Sequence, residues 1–199
     1  MKNIDVGFLF DKSNPWLKKF INKKTIKGKK YNLFFDINSR NEKKFHFLFI
    51  LGYTKILDKN FLKQNVFNLI VHESSLPKGK GFSPVQWQIL EGKNEIPVSL
   101  IVASKKVDSG DIILKSTIRL KGTELLSEIR EAQAMKSIEL INKFLDNFPN
   151  IKLEKQKGIS TYYRKRTDND NKLNISKTLL SQINILRVSD NEKYPAHFI

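Results

Sequence analysis

Three short apolar runs constrain this chain more than anything else in it. They are Ile4-Asp5-Val6-Gly7-Phe8-Leu9-Phe10, Phe45-His46-Phe47-Leu48-Phe49-Ile50-Leu51 and Val66-Phe67-Asn68-Leu69-Ile70-Val71. Each is apolar on successive positions rather than on alternate ones, the pattern of a strand buried on both faces. Between them the spacing becomes helical. Trp16, Leu17, Phe20 and Ile21 follow Pro15, with Ser13 or Asn14 as the cap, and a short helix follows over 57–62 with Asp58 as its cap. Strands alternating with helices predict an α/β fold with a mostly parallel sheet flanked by helices.

Further elements complete this outline. Strands are expected over 31–35, 97–103 and 111–120, and a helix over 84–90 closed by Gly92. The longest helix is expected over 124–148, capped by Thr123. A polar link over 25–30 and an exposed loop over 38–44 separate early elements. Residues 151–174 are polar and charged, and a last helix is expected over 176–186. The chain therefore divides into an α/β unit over 1–150 and a C-terminal extension over 151–199.

At 199 residues with 40% hydrophobic content, the chain can bury one sizeable core. It has no cysteine, which excludes disulfides, thiolate metal sites and cysteine nucleophiles. That composition agrees with a reducing compartment, and the expected location is cytoplasmic. No apolar run approaches the roughly 18 residues of a membrane span, so no membrane partner is expected. The formal charge of +16 is compatible with a polyanionic partner. The lysines are spread along the whole chain rather than gathered on one face, which reads more readily as a compositional bias. A phosphorylated small substrate fits either reading.

The chemistry-bearing residues concentrate on two loops. His72 follows the third apolar run and opens Glu73-Ser74-Ser75-Leu76-Pro77-Lys78-Gly79-Lys80-Gly81-Phe82-Ser83-Pro84. Asp108 lies 36 positions later, in Val107-Asp108-Ser109-Gly110-Asp111. Strand ends that open into polar loops are where open α/β sheets place ligands. Histidine can act as acid or base near neutrality, and a nearby carboxylate can orient it and stabilise its protonated form. On residues alone, a histidine after a strand is more often structural. His46, among phenylalanines inside a strand, and His197, near the terminus, are weaker candidates. No His, Asp and Glu spacing suits zinc, and no Walker loop or dinucleotide fingerprint is present, so no metal is expected. The Lys78-Gly79-Lys80 segment could hold a phosphate through lysines and backbone amides, or form a tight turn that lets a ligand approach.

These motifs resemble those of the tetrahydrofolate-dependent formyltransferases, a family that includes methionyl-tRNA and nucleotide-sugar N-formyltransferases. The family's His-x-Ser-Leu-Leu-Pro-x-x-x-Gly-x-x-Pro signature is matched by His72, Ser74, Leu76, Pro77, Gly81 and Pro84. Trp87-Gln88-Ile89-Leu90-Glu91-Gly92 is similar to the helix that follows it. Asp108-Ser109-Gly110-Asp111-Ile112 is similar to its Asp-x-Gly-x-Ile segment. Gly52-Tyr53-Thr54-Lys55-Ile56-Leu57 resembles the segment lining the folate pocket. The resemblance covers about residues 45–120. More loosely, Thr161-Tyr162-Tyr163-Arg164-Lys165-Arg166 is similar to sequences in sugar-modifying members.

The resemblance implies a Rossmann-like fold and transfer of a formyl group from 10-formyltetrahydrofolate, a co-substrate, to an amine. His72 and Asp108 are then catalytic. Gly52, Tyr53, Ile56, Leu57, Ser74, Ser75, Leu76 and Pro77 would seat the folate, and Lys78, Gly79 and Lys80 the acceptor's phosphates. The expected acceptor is an amino sugar on a nucleotide carrier. Methionyl-tRNA is less expected, because the chain is short for an additional tRNA-binding domain. Hydrolysis of the formyl donor and a non-catalytic folate- or nucleotide-binding module are the other readings. Exposed apolar residues in the tail make a homodimer reasonable. The sequence departs from the family in two ways. About a third of the usual N-terminal region has no counterpart, implying a reduced acceptor side. Ile70 also stands where the family carries an asparagine that binds the formyl oxygen, and loss of such a donor costs on the order of 100-fold in rate. Asn68 lies about 6.5 Å further back along the same strand face, too far for a simple exchange, which leaves Ser74 or a backbone amide as substitutes.

Overall fold

The computed structural model describes residues 4–27, 30–37 and 43–198. The expected link over 25–30 and loop over 38–44 lie partly outside them. In chain order the elements are β1 (Ile4–Phe10), α1 (Trp16–Phe20), β2 (Tyr31–Ile37), β3 (Phe47–Leu51), α2 (Lys59–Lys63), β4 (Phe67–His72), β5 (Lys80–Gly81), α3 (Pro84–Leu90), β6 (Glu95–Val102), β7 (Ile112–Arg119), α4 (Leu126–Asn147), β8 (Tyr162–Tyr163) and α5 (Ile183–Val188). Six strands form one sheet in the order β2-β1-β3-β4-β6-β7. The first four are parallel to their neighbours. β6 runs antiparallel to β4, and β7 antiparallel to β6. That last pair needs no crossover helix, so the loop over 103–111 is free to carry functional residues.

The core explains the apolar runs. All five residues of β3 are buried. Phe47, Phe49 and Leu51 join a cluster that includes Ile141 and Phe144 of α4. Leu48 and Ile50 face the other way, into a cluster with Leu9, Phe45 and Phe61. Alternate residues thus reach opposite faces, as the two-residue period of a strand requires. Both faces are covered, so the sheet is an α/β layer structure of the kind the apolar runs predict.

Local chemistry corrects three expectations. Pro15 itself is the N-cap of α1, which has no side-chain cap bond, so neither Ser13 nor Asn14 caps it. Asp58 does cap α2, accepting from Asn60 N and Phe61 N. The long helix, however, is not capped by Thr123. The Glu124 carboxylate accepts from the amides of Lys121 and Gly122, which folds that segment into a turn. The helix begins at Leu126, where Glu128 Oε2 accepts from Leu125 N at 2.9 Å. The last helix is also displaced, covering Ile183–Val188 rather than 176–186. Gln182 accounts for this: its amide bonds Asn174 N and O and the carbonyls of Lys177 and Thr178, wrapping the preceding residues into a loop.

The extension packs back on the body. Arg187 is 2% exposed. It donates to Glu124 O, Asn94 Oδ1 and Asn184 Oδ1, tying α5 to the loops beside α4 and β6. β8 pairs in parallel with β5, matching Lys80 to Tyr162 and Gly81 to Tyr163. Gly81 is required there: its φ is +96°, and a Cβ would lie 2.4 Å from Tyr163 O. Among the described residues, no helix is long and apolar enough to cross a membrane.

Candidate active site

His72 is the last residue of β4. β3 and β4 pair with Ile50 opposite Ile70, and extending that register places Gly52 level with His72 at the same end of the sheet. After β4 the chain turns through Ser74 to Pro77, and β5 brings Lys80 and Gly81 back toward the histidine. The β6–β7 loop contributes Asp108. His72 is 6% exposed. Its Nε2 lies 2.8 Å from Gly79 O, and its Nδ1 lies 3.6 Å from Asp108 Oδ2. A carbonyl oxygen can only accept, so Nε2 carries a hydrogen. A hydrogen added at Nδ1 would face the carboxylate, giving an imidazolium whose charge Asp108 balances.

Asp108 is held in an unusual shape. Its φ is +47°, in the left-handed region that residues with a Cβ enter at a cost. Its Oδ2 also accepts from Gly81 N at 2.9 Å, which joins the two loops. Gly110 lies directly on β6, where a Cβ would be 1.6 Å from Val102 O. The loop cannot sit this close to the sheet with any larger residue.

The other predicted residues differ in their surroundings. Ser74, Leu76, Pro77, Gly79 and Lys80 are buried, whereas Ser75 and Lys78 are exposed. Lys80 Nζ donates to Ser109 Oγ at 2.7 Å. Gly79 N donates to Thr161 Oγ1, and Gly81 N to Asp108. These two glycine amides of the loop are therefore engaged within the protein, and Lys78 offers its exposed cation. Ser74 is 2% exposed and its Oγ has no hydrogen-bond partner among the described residues. In the Gly52 segment, Tyr53 and Leu57 pack on the cluster around Leu48 and Ile50. Gly52 is exposed and Ile56 is 93% exposed.

Asp11 organises that segment. One of its carboxylate oxygens accepts from Thr54 N and Oγ1 at 2.7 and 2.6 Å, the other from Ser13 N and Oγ at 2.8 and 2.7 Å. Burial pushes the carboxyl up, but these hydrogen bonds outweigh it and bring it down to about 2. Asn14 Nδ2 adds a bond to Gly52 O at 2.7 Å.

Ile70 shares the His72 face of β4 and packs with Leu76, Ile101 and Ile112. It offers no donor. Asn68 is committed elsewhere, donating to Leu62 O and accepting from Asn65 Nδ2. His46 packs edge-on against Phe47 and Phe148, and His197 lies in the tail beside Asn171 and Leu173. The structure brings neither to His72.

Sequence reasoning passed over three residues here. Glu73, between His72 and Ser74, accepts from Gln133 Nε2 of α4 at 2.6 Å. Burial pushes its carboxyl above the ordinary range, opposed by His72 and by the Gln133 bond. Gln156 of the extension donates to Asp108 O and Gly110 O. Glu73 was readable as an acid inside the motif. Gln133 and Gln156 carried no local signal. Among the described residues, no group of three or more His, Asp or Glu could hold a metal ion.

Comparison with known proteins fits this geometry. A family profile described as "Formyl transferase" matches residues 35–144. Methionyl-tRNA formyltransferase from Rickettsia prowazekii is 33% identical over 128 residues, covering 63% of this chain and 42% of that protein. The chain spans less than half the length of the curated relatives it matches. Among solved structures, methionyl-tRNA formyltransferase from Clostridium thermocellum superposes with a TM-score of 0.77 at 24% identity, covering 98% of this chain and 88% of that one. HypX from Aquifex aeolicus in complex with tetrahydrofolic acid gives 0.77 at 14% identity, covering 99% and 36%. A sugar N-formyltransferase from Shewanella sp. FDAARGOS_354 gives 0.70 at 18%, covering 98% and 92%. At these identities the superpositions speak for the fold, and the profile, spanning more than half of the sequence, speaks for descent: this chain belongs to the formyl transferase family.

Proposed function

We propose that the chain transfers a formyl group from 10-formyltetrahydrofolate to an amine, and that the amine belongs to a nucleotide-linked amino sugar. The observation that carries this reading is the pairing of buried His72 with half-buried Asp108 at 3.6 Å, with Asp108 also fixed by Gly81 N–H. The amine attacks the formyl carbon and a tetrahedral oxyanion forms; on its collapse the bond from that carbon to N10 of the folate breaks, the amine's proton passes to N10, and tetrahydrofolate leaves. Protonated His72 stabilises that oxyanion through its Nε2–H, which exchanges Gly79 O for the developing charge, while Asp108 on the Nδ1 side orients the ring and balances its charge. The unpartnered Ser74 hydroxyl supplies a second donor in place of the one Ile70 lacks. The folate lies against Gly52, Tyr53, Ile56 and Leu57 and the turn from Ser74 to Pro77. An exposed Ile56 gives that segment apolar surface to offer a ring. Lys78 meets the acceptor's phosphates.

A second acceptor, methionyl-tRNA, is favoured by the curated relatives and by the charge of +16. The two are separated by incubating the protein with 10-formyltetrahydrofolate and either nucleotide amino sugars or aminoacylated tRNA, while following folate absorbance. Folate binding without turnover for any amine would reject the transferase in favour of a binding module. His72→Ala and Asp108→Ala should each lower kcat by on the order of 100-fold or more with the fold intact. Near-normal rates in either would mean that the site is misassigned.

A further inference from the structure

We propose that Gln156, in the C-terminal extension, is the positioning residue that holds Asp108 in its working conformation. This rests on the assignment of His72 and Asp108 made above. Gln156 Nε2 donates one bond to Asp108 O and one to Gly110 O, both at 2.8 Å. Its two hydrogens are thus spent on the two carbonyls that flank Ser109. Only the amino end of the side chain can face two acceptors, so its orientation is fixed by chemistry. Oε1 points away, buried and without a partner among the described residues.

The fork sits where the backbone most needs support. Asp108 has a φ of +47°, and a residue with a Cβ enters that left-handed region only at a steric cost. Two hydrogen bonds to the carbonyls on either side of Ser109 offset that cost. With the turn fixed, Asp108 Oδ2 reaches both Gly81 N at 2.9 Å and His72 Nδ1 at 3.6 Å.

Neighbouring contacts make the same segment a strap over both loops. Glu154 exchanges two backbone bonds with Ile112, each 2.8 Å. Thr161 Oγ1 accepts from Gly79 N, whose own carbonyl faces His72 Nε2. Lys80 N and Phe82 N donate to Thr161 O and Tyr163 O. Residues 154–163 therefore touch both loops that fix the histidine, and Gln156 is the strap's side-chain hold on the carboxylate loop.

The test does not depend on turnover. Gly81 N–H reports the placement of Asp108, because its acceptor is the Asp108 carboxylate. Lys80 and Phe82 amides bond to the strap backbone and serve as internal controls. Amide exchange is measured in the full chain for wild type, Gln156→Glu, Gln156→Leu and Asp108→Ala. Gln156→Glu keeps the shape but sets a carboxylate against two carbonyls. Gly81 should exchange about tenfold faster or more, matching the loss of one or two bonds, as it does in Asp108→Ala, with Lys80 and Phe82 unchanged. Gln156→Leu, which lacks donors and charge, should do the same and carries the test if the glutamate variant does not fold. Formyl transfer should fall about tenfold in kcat while folate affinity stays within twofold. Wild-type protection of Gly81 in the folded Gln156 variants overturns the proposal. An inactive wild type in which Gly81 responds as expected would reject the catalytic assignment and leave the positioning intact.

Discussion

Replacing Asp11 with asparagine tests how the Gly52–Leu57 segment is held. The native carboxylate accepts four hydrogen bonds, from the amide and hydroxyl of Ser13 and of Thr54. They hold the carboxyl at about 2 against an ordinary 3.8. Each tenfold in proton affinity is about 1.4 kcal/mol, so the ionised form carries about 2 kcal/mol of folding stability. An asparagine keeps one acceptor oxygen but turns an NH2 toward one pair of donors, a loss of comparable size. The sign of the pH dependence follows from the lowered value. The contribution is complete above 3.8 and is lost as pH falls through about 2. Urea denaturation of wild type and Asp11→Asn should therefore differ by about 2 kcal/mol at pH 7, and by about 1 kcal/mol less at pH 3. Folate should also bind the variant more weakly, since Thr54 lies inside the segment proposed to seat it. A stability gap that is absent at pH 7, or unchanged at pH 3, would refute the claim that these bonds favour the charged carboxylate.

Two further outcomes follow from the site. Glu73 is raised by burial, so its stabilising contribution is complete below its ordinary 4.5 and is lost as pH rises through the folded value. Glu73→Gln, which can still accept from Gln133, should raise Tm at pH 8 and leave it little changed near pH 4, read by calorimetry; an equal change at both pH values would contradict the burial argument. Ile70→Asn places a second donor on the His72 face of β4 and, with Ser74 proposed to meet the oxyanion already, should change kcat by less than about tenfold. It also buries an amide among Leu76, Ile101 and Ile112, costing about 1–3 kcal/mol in urea; a rise in kcat of about 100-fold would mean that Ser74 does not meet the oxyanion.

What the sequence revealed depended on how far apart the interacting residues lie. The strands around Phe8, Phe49 and Leu69 were legible because both-face burial writes itself into consecutive positions. Asp58 was legible as a cap because its partners are two and three residues away. His72 and Asp108 could be paired because each sits in a motif, although 36 positions separate them. Thr123 misled because Glu124, one position later, captured the neighbouring amides instead. The role of the extension was not legible. Gln156 acts on a loop 48 residues earlier, from a polar stretch with no periodicity. β8 is two residues long and exists as a strand only because β5 lies beside it.

Ile70 fits the packing better than it fits the chemistry. It lies where the sheet face changes character: Leu48, Ile50 and Phe61 form an apolar cluster on one side, and Leu76, Ile101 and Ile112 form another. Ile70 packs against both, so its side chain joins two otherwise separate clusters under the site. An asparagine there would add a donor to the site and an unfilled polar group to this junction. With isoleucine, the turn carrying Leu76 is anchored by apolar contact, and the buried Ser74 hydroxyl in the same turn has no hydrogen-bond partner among the described residues. Ser74 O in turn accepts from Ser99 Oγ at 3.0 Å, and Ser74 N donates to His72 O at 3.0 Å. The backbone of Ser74 is thus fixed on both sides while its hydroxyl is left free. On the proposed reading, the enclosed Ser74 hydroxyl must be uncovered before it meets a developing negative charge, and the fixed backbone then aims it, the preorganisation that makes oxyanion stabilisation effective. On the proposed reading, isoleucine at position 70 moves the burden of that charge onto His72 and Ser74, and makes the rigidity of the turn between them a condition of the chemistry.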